Sequence, residues 1–393
     1  MFYKSRISLK NSWKREFKRI SERPVYFLGP ALVMIFCSVF FLTLMEEGWP
    51  NTLPAGVVDL DQSALSRTLI RNLDATAQTK VVSHCSSYSE AREQMQKGEI
   101  YSFVVIPEGF ERNLQSGLQP AATFYVNDTY LIPGSLSLKD LSFMGHLTGA
   151  KVKQNILEAR GITEENLQMA AIQPVAIDAH LIGNPWANYG IYLINLLLPG
   201  VLQLMIIMIT IFSIGMELKE KTGPDWIRTA GNSRIIALAG KILPYTLLFT
   251  LLGIAVNFLL YRYLQYPLWG SMWLMCFATF LYVIASQAVG IFFIGLLPVL
   301  RDAISLGAFY GLLGFTYAGF TFPVEAMPPS VQIFSWLFPI RYYFLIYGNI
   351  ALNGSPFQNY FLWFIVLACF LLLPVLVLRR IGKAAVKPEY LTK

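Results

Sequence analysis

The sequence predicts an α-helical integral membrane protein. It is expected to have six transmembrane helices, a re-entrant helical hairpin before the last of them, and a mixed α/β extracytoplasmic domain. Three observations carry this expectation. Of the 393 residues, 55% are hydrophobic and only 14% charged, whereas a water-soluble chain is about a quarter charged. The apolar residues fall in long runs flanked by basic clusters, and one segment of ordinary polar composition, residues 48–185, interrupts them. Finally, Thr316–Phe344, TYAGFTFPVEAMPPSVQIFSWLFPIRYYF, is apolar yet carries Pro323, Pro328, Pro329 and Pro339. Proline lacks the amide donor and disfavours helix at the residue before it, so no single span can run through this stretch.

Residues 1–23 read as a cytoplasmic amphipathic helix lying on the membrane. Leu9, Trp13, Phe17 and Ile20 recur at helical spacing, with Lys10, Lys14, Arg15, Lys18 and Arg19 on the remaining surface, a pattern suited to anionic lipid. Residues 24–47 hold the first span, Val25–Met45, long enough for about 30 Å of hydrocarbon. Its near flank is strongly basic and Glu46 and Glu47 follow its far end, so the positive-inside rule puts the N-terminus in the cytoplasm. The span is too long, and its end too poor in small residues, for a cleaved signal peptide.

Residues 48–185 then alternate short strands and helices. Strands are expected at Ala55–Val58, Thr79–Val82, Ile100–Ile106 and Ala121–Val126. Helices are expected at Ser63–Leu73, Ser87–Lys97 and Glu108–Ser116, and over residues 131–170 with a break near Gly161. Such alternation argues for a small α/β domain, long enough to bury a core of its own.

Residues 186–380 form the main transmembrane region. The second span is Tyr189–Gly215, with a kink at Pro199-Gly200. A polar, cationic loop, 216–241, follows on the inside. The third span is Ile242–Tyr261, the fourth Ser271–Leu297 and the fifth Ala303–Phe320. The hairpin, 321–343, comes next, entering and leaving on one side because non-helical backbone at membrane depth needs protein or a wet cavity around it. Glu325 within it needs a partner or water, and Arg341 is the expected partner. Val331, Phe334, Trp336, Leu337 and Phe338 would close a dry plug. The sixth span is Pro356–Leu378, and a cytoplasmic tail, 381–393, ends the chain. Six spans put the basic clusters, including Arg379, Arg380, Lys383 and Lys387, on one side.

Several chemistries find no support. The net charge of +7 belongs to orienting cations beside apolar runs, not to a nucleic-acid footprint. Gly240-Lys241 lacks the upstream glycine and the following hydroxyl of a phosphate-cradling loop. His84, His146 and His180 fall in no metal-ligand spacing. Cys37, Cys276 and Cys369 lie in apolar segments, leaving Cys85 without a partner for a disulfide. No span pairs carboxylates for a proton relay. Asn195, Gln203, Asn257, Ser286 and Gln287 are polar residues within spans. They read either as interhelical hydrogen-bonding groups or as candidate lining of a pathway.

One resemblance joins these pieces. The string G-F-x-F-P-x-x-x-M-P followed by P-I-R-Y-Y, with Gly319, Phe322, Pro323, Glu325, Met327, Pro328, Pro339 and Tyr342, resembles the last third of type-2 ABC transporter permeases. Glu217, Lys219, Glu220, Lys221, Thr222 and Gly223 are similar to the family's acidic-basic-Gly-Thr string before the helix that docks into the ATPase, with Thr-Gly in place of the common Gly-Thr and Pro224 following. VVDLDQS and YSFVVIPEGFERNL resemble the extracytoplasmic domain of one branch. The resemblance implies a non-catalytic permease subunit of an exporter of drugs, lipids or other amphipathic compounds, in the bacterial inner membrane with both termini cytoplasmic. It implies a second permease subunit, identical or not, and separate ATPase subunits that hold ATP and magnesium, with no cofactor in this chain. It further suggests an outer gate formed by Pro323, Glu325, Met327, Pro328, Pro339 and Arg341, and a periplasmic adaptor as a candidate partner of residues 48–185. The alternatives are an ion-coupled carrier and a membrane-anchored extracytoplasmic sensor.

Overall fold

A computed structural model describes residues 2–116, 118–173, 180 and 183–386, with side chains of the first helix from residue 8 onward. Lys387 and the rest of the expected tail beyond residue 386 lie outside the described residues. The chain divides into two compact units: Glu47–His180, and Met1–Glu46 together with Leu181–Lys393.

The second of these units begins with α1 (Phe2–Glu22) and α2 (Val25–Leu44). Pro24 separates them, in keeping with the expected start of the first span. Phe36, Val39, Phe40 and Leu44 on α2 are exposed, as befits a surface that meets lipid rather than water.

The unit Glu47–His180 is a four-stranded sheet with helices on both faces. Its elements follow the chain as β1 (Leu53–Asp59), α3 (Ala64–Asp74), β2 (Thr79–His84), α4 (Tyr88–Lys97), β3 (Ser102–Ile106), α5 (Phe110–Gln115), β4 (Thr123–Val126), α6 (Leu131–Ala159) and α7 (Glu165–Ile172). The strand order is β2-β1-β3-β4, with β1 parallel to β2 and β3, and β4 antiparallel to β3. Ser63 and Ser87 cap α3 and α4, each accepting the amide three residues on, which is why these helices begin where the hydroxyls stand. One sheet face buries Val57, Val104 and Ile106 under Leu69 and Leu73 of α3 and Leu141 and Met144 of α6. The other buries Val58 and Phe103 against Ala91 of α4. Asp74, at the end of α3, accepts from Lys80 Nζ at 2.9 Å and from the Val81 amide at 3.0 Å. The Lys80 hydrogen bond, then the amide, holds its carboxyl below the usual aspartate value.

The remaining helices are α8 (Tyr189–Lys219), α9 (Gly223–Thr229), α10 (Arg234–Phe258), α11 (Met272–Leu296), α12 (Leu300–Tyr317), α13 (Pro329–Ser335), α14 (Pro339–Tyr347), α15 (Phe361–Cys369) and α16 (Leu373–Val386). A π-helical turn, Leu259–Tyr263, extends α10, and a 3-10 turn, Phe370–Leu372, joins α15 to α16. Among the described residues, five helical segments are long and apolar enough to cross a membrane: Val25–Leu44, Tyr189–Lys219, Arg234–Tyr263, Met272–Leu296 and Phe361–Val386. With Arg301 and Asp302 in its first turn, α12 does not reach that standard.

Several boundaries differ from the sequence expectation. Helix α8 runs past Gly215 to Lys219, and α10 starts at Arg234 rather than Ile242. Most of the expected inner loop is therefore helix. The last helix likewise continues through Arg379, Arg380 and Lys383. Hydropathy ends a span at the first charges. Glu217 of α8 and Lys241 of α10 are paired inside the protein and the helical backbone continues through them, whereas Arg379, Arg380 and Lys383 of the last helix are exposed.

Candidate functional site

The site that distinguishes this unit is a buried ionic joint between the first helix and the facing ends of α8 and α10. Glu217 sits in the last turn of α8 with none of its side chain exposed. It meets Arg15 Nη1 at 2.7 Å, Arg19 Nη1 at 2.5 Å and Lys241 Nζ at 3.0 Å, and accepts from the Thr222 hydroxyl. Lys241, equally buried on α10, also meets Glu16 Oε2 at 2.6 Å, and the Tyr245 hydroxyl donates to Glu16 Oε1 at 2.7 Å. Toward the surface, Glu220 takes Arg19 at 2.6 Å and Arg23 at 2.6 Å. Burial works against the charge on Arg19, but Glu217, Glu16 and Glu220 outweigh it and raise its pKa. Each buried charge of the joint, Glu16, Glu217 and Lys241, thus meets at least one opposite charge, which is the condition for burying them at all. The more exposed Arg23 adds a fourth cation at the rim.

Helix α1 docks by its polar stripe. Ser12 and Glu16 are its buried residues, while Phe17 on the apolar stripe is 57% exposed. Of the apolar stripe read from the sequence only Phe17 is exposed; Leu9, Trp13 and Ile20 are half-buried beside Ser12 and Glu16, and Ile20 packs against the cluster around Tyr26 and Tyr245. Gly240 makes this approach feasible: a Cβ there would lie 2.5 Å from Ser12 Oγ, and small residues at such crossings let helices approach closely. Trp226 of α9 completes the floor, donating Nε1–H to the Ala237 carbonyl at 3.0 Å and standing 5.6 Å from Lys241 Nζ.

The residues expected to couple to an ATPase therefore separate into two groups. Glu217 is buried, Glu220 and Thr222 are half-buried in the joint, and Gly223 is buried where a Cβ would strike the Ala385 carbonyl of α16. Lys219 and Lys221 face outward with Asp225 and Arg228. The sequence reading assigned no role to Glu16, Lys241 and Tyr245. An acid amid the cations of a basic helix and a lysine abutting an apolar run were the visible signals; nothing in either pattern names the other as its partner.

The proline-rich stretch forms a second arrangement. A 3-10 turn, Val324–Ala326, leads to α13, and Pro339 opens α14. Val324, Met327 and Phe338 are its buried apolar anchors, whereas Ile333, Phe334, Trp336 and Leu337 are more than half exposed. Of the expected plug residues, Phe338 alone is fully buried within this subunit. It stacks on Tyr310 and Tyr317 at ring distances of 4.6 and 5.2 Å. The irregular backbone is satisfied from neighbouring side chains. Tyr192 donates to the Phe320 carbonyl at 2.8 Å, Tyr342 to Trp336 at 2.9 Å, Gln332 to Met327 at 2.8 Å, and Tyr310 to Leu337. These bonds pair carbonyls that the irregular backbone leaves without a helical partner. Arg341 Nη2 lies 3.5 Å from Glu325 Oε1, with the Glu325 side chain 80% exposed and that of Arg341 12%. Gly319 adopts φ +83°, and a Cβ there would sit 2.7 Å from Arg341 Nη1, so this turn needs glycine on both counts.

The polar residues within the spans form interhelical hydrogen bonds. Tyr261 donates to Asn195 Oδ1 at 2.8 Å, Asn257 Nδ2 donates to Thr279 at 2.8 Å, and Tyr282 donates to Gln203 at 3.0 Å. Gln287 Oε1 lies 2.8 Å from the Thr246 hydroxyl. All are buried, and Ser286 Oγ is buried without a partner among the described residues.

Comparison with known proteins now bears on this arrangement. A family model described as ABC-2 family transporter protein matches residues 25–379. No curated protein matches the chain. The matched region includes all five candidate spans except the final turns of the last. The chain thus belongs to the ABC-2 family of transporter proteins, as a multi-pass membrane permease subunit whose family works with an ABC ATPase.

Proposed function

We propose that this chain is the pathway-forming subunit of an ATP-driven exporter of amphipathic compounds, drugs or lipids among them. It works as a dimer in a bacterial inner membrane, with separate cytoplasmic ATPase subunits that supply ATP and magnesium. The observation that carries the reading is the buried joint of Glu16, Glu217 and Lys241 with Arg15 and Arg19. A joint of full charges shielded from water is stiff, because any displacement separates opposite charges at low dielectric. Movement applied to α9 or α1 would pass to α8 and α10 without being absorbed between them. In this reading Lys219, Lys221, Asp225 and Arg228 meet the ATPase, and Glu217, Glu220 and Thr222 hold the elements that carry them.

Helix α12 serves as the sixth span. Its residues Gly307 and Gly311 lie against Ile211 and Leu204 of α8, and its two charges stay in the turn at its start. Six spans keep α1, the joint and the basic end of α16 on the cytoplasmic side. The hairpin acts as the outer gate, with Pro323, Pro328 and Pro339 setting its breaks, Met327 anchoring it, and Glu325 and Arg341 forming its polar tie. Its exposed Phe334, Trp336 and Leu337 would close against the second subunit. Asn195, Gln203, Asn257 and Gln287 hold the helices that border the pathway.

The test is co-expression of the full chain with an ABC ATPase subunit, purification in detergent, and measurement of ATP hydrolysis and export in proteoliposomes. Stoichiometric co-purification and permease-dependent hydrolysis are expected. Ion-driven transport by the chain alone would overturn the proposal.

A further inference from the structure

Beyond the transport machinery, the turn between α10 and α11 forms a cavity of 710 Å³, within the usual size range of ligand sites. Its walls include Phe258, Trp186, Trp269, Trp273 and Cys276, and its one charged lining residue is Arg262. Trp269 and Trp273 are 73% and 85% exposed. Among the described residues, no carboxylate pairs with Arg262.

The cavity is built rather than incidental. Arg262 stands on the π-helical turn Leu259–Tyr263, a local irregularity that recurs at functional sites. The following loop is tied down by backbone hydrogen bonds. Tyr266 donates to Leu260 at 3.0 Å, Trp269 to Ala351 at 3.1 Å, and Gly270 to Ile350 at 2.9 Å. Both flanking helices are candidate membrane spans, so the turn lies where hydrocarbon gives way to headgroups. Tryptophan and tyrosine gather at that level as anchors in general. Anchoring alone does not call for a guanidinium among them, and Arg262 stands exposed at the open side of the cavity.

We propose that this cavity binds one anionic phospholipid, with its phosphate on Arg262 and an acyl chain running over Phe258 and Cys276. The guanidinium offers the forked donors that phosphate accepts. The indole faces would suit a quaternary ammonium, but a headgroup that brings its own cation finds no carboxylate here to balance Arg262. A net charge of minus one on the ligand does balance it. A soluble phosphate compound would leave the apolar wall uncovered. The proposal needs only that α10 and α11 cross a bilayer, so it stands apart from the exporter reading.

The experiment is native mass spectrometry of the full chain, delipidated in detergent and equilibrated with equimolar dioleoyl phosphatidylglycerol and dioleoyl phosphatidylcholine. Wild type should retain the glycerol lipid over the choline lipid by roughly fivefold, the preference expected of one interfacial cation. Arg262→Gln should bring the ratio near one, Arg262→Lys should keep part of the preference, and Arg301→Gln should leave it unchanged. Melting temperature and elution volume check that each variant is folded. Equal retention of both lipids by wild type, or an unchanged ratio in Arg262→Gln, would overturn the proposal. So would displacement of the bound lipid by millimolar glycerol 3-phosphate, which would make the occupant a soluble anion.

Discussion

Replacing Lys241 by methionine removes one charge from the joint and leaves its volume nearly unchanged. Glu217 keeps Arg15 and Arg19. Glu16 does not fare so well: its partners are Lys241 at 2.6 Å and the Tyr245 hydroxyl at 2.7 Å, and only the hydroxyl remains. A carboxylate 1% exposed with one neutral donor is an uncompensated buried charge, and breaking such a pair costs about 3–5 kcal/mol. The double variant Glu16→Gln with Lys241→Met removes the stranded charge, and the new amide can still accept from Tyr245. It should recover most of the loss, giving a coupling energy of about 2–3 kcal/mol. The assay is reversible denaturation in detergent micelles across wild type, both single variants and the double variant. Hydrogen exchange over residues 8–22 reports whether α1 leaves its seat. Additive losses across the cycle would refute the reasoning, as would a Lys241→Met variant within about 0.5 kcal/mol of wild type, the range of an ordinary surface substitution.

Three further outcomes are expected. Lys219→Glu with Lys221→Glu should lower ATPase stimulation while preserving the melting temperature, because both side chains are exposed, whereas Glu217→Lys should lower both; stimulation unchanged in the lysine variants would move the ATPase contact elsewhere. Glu325→Gln should shift stability by no more than about 1 kcal/mol, since the Glu325 side chain is 80% exposed and its pair with Arg341 is solvent-screened; export by Glu325→Leu at wild-type rate and dimer yield would remove the gating role. Asp74 has a depressed pKa, so its contribution is complete above the unfolded aspartate value of roughly 4 and is lost as pH falls through the lower folded value. Amide protection of Val81, measured in the full chain, should therefore weaken on acidification and lose that dependence in Asp74→Asn; an unchanged acid profile in that variant would show that Asp74 is not the titrating group.

Much of the architecture was legible because it rests on local patterns. Apolar runs of sufficient length mark spans wherever they occur, and Val25–Leu44 and Met272–Leu296 match their expected bounds within a residue. The strands and helices of the sheet unit follow from alternation and from caps such as Ser63 and Ser87, whose hydroxyls act within one turn. The proline spacing of residues 323–339 excludes a continuous helix irrespective of what surrounds it, and the pairing of Glu325 with Arg341 joins residues sixteen apart across one turn of chain. Such features depend on neighbours in sequence, so periodicity and residue type suffice to find them.

The joint depends on neighbours in space. Glu16 and Lys241 are separated by 225 positions, and Arg15 and Glu217 by 202. Their charges made the same sequence look like a lipid-facing basic helix and a polar loop. Hydropathy scores an ion as though water surrounds it, and therefore ends α8 and opens α10 too far apart. Once the fold brings opposite charges within hydrogen-bonding distance, each supplies the solvation that the other has lost, and the helices continue through them. Which face of α1 meets protein, where the spans stop, and which acidic residues are withheld from the surface all follow from that pairing, which the folded chain alone creates.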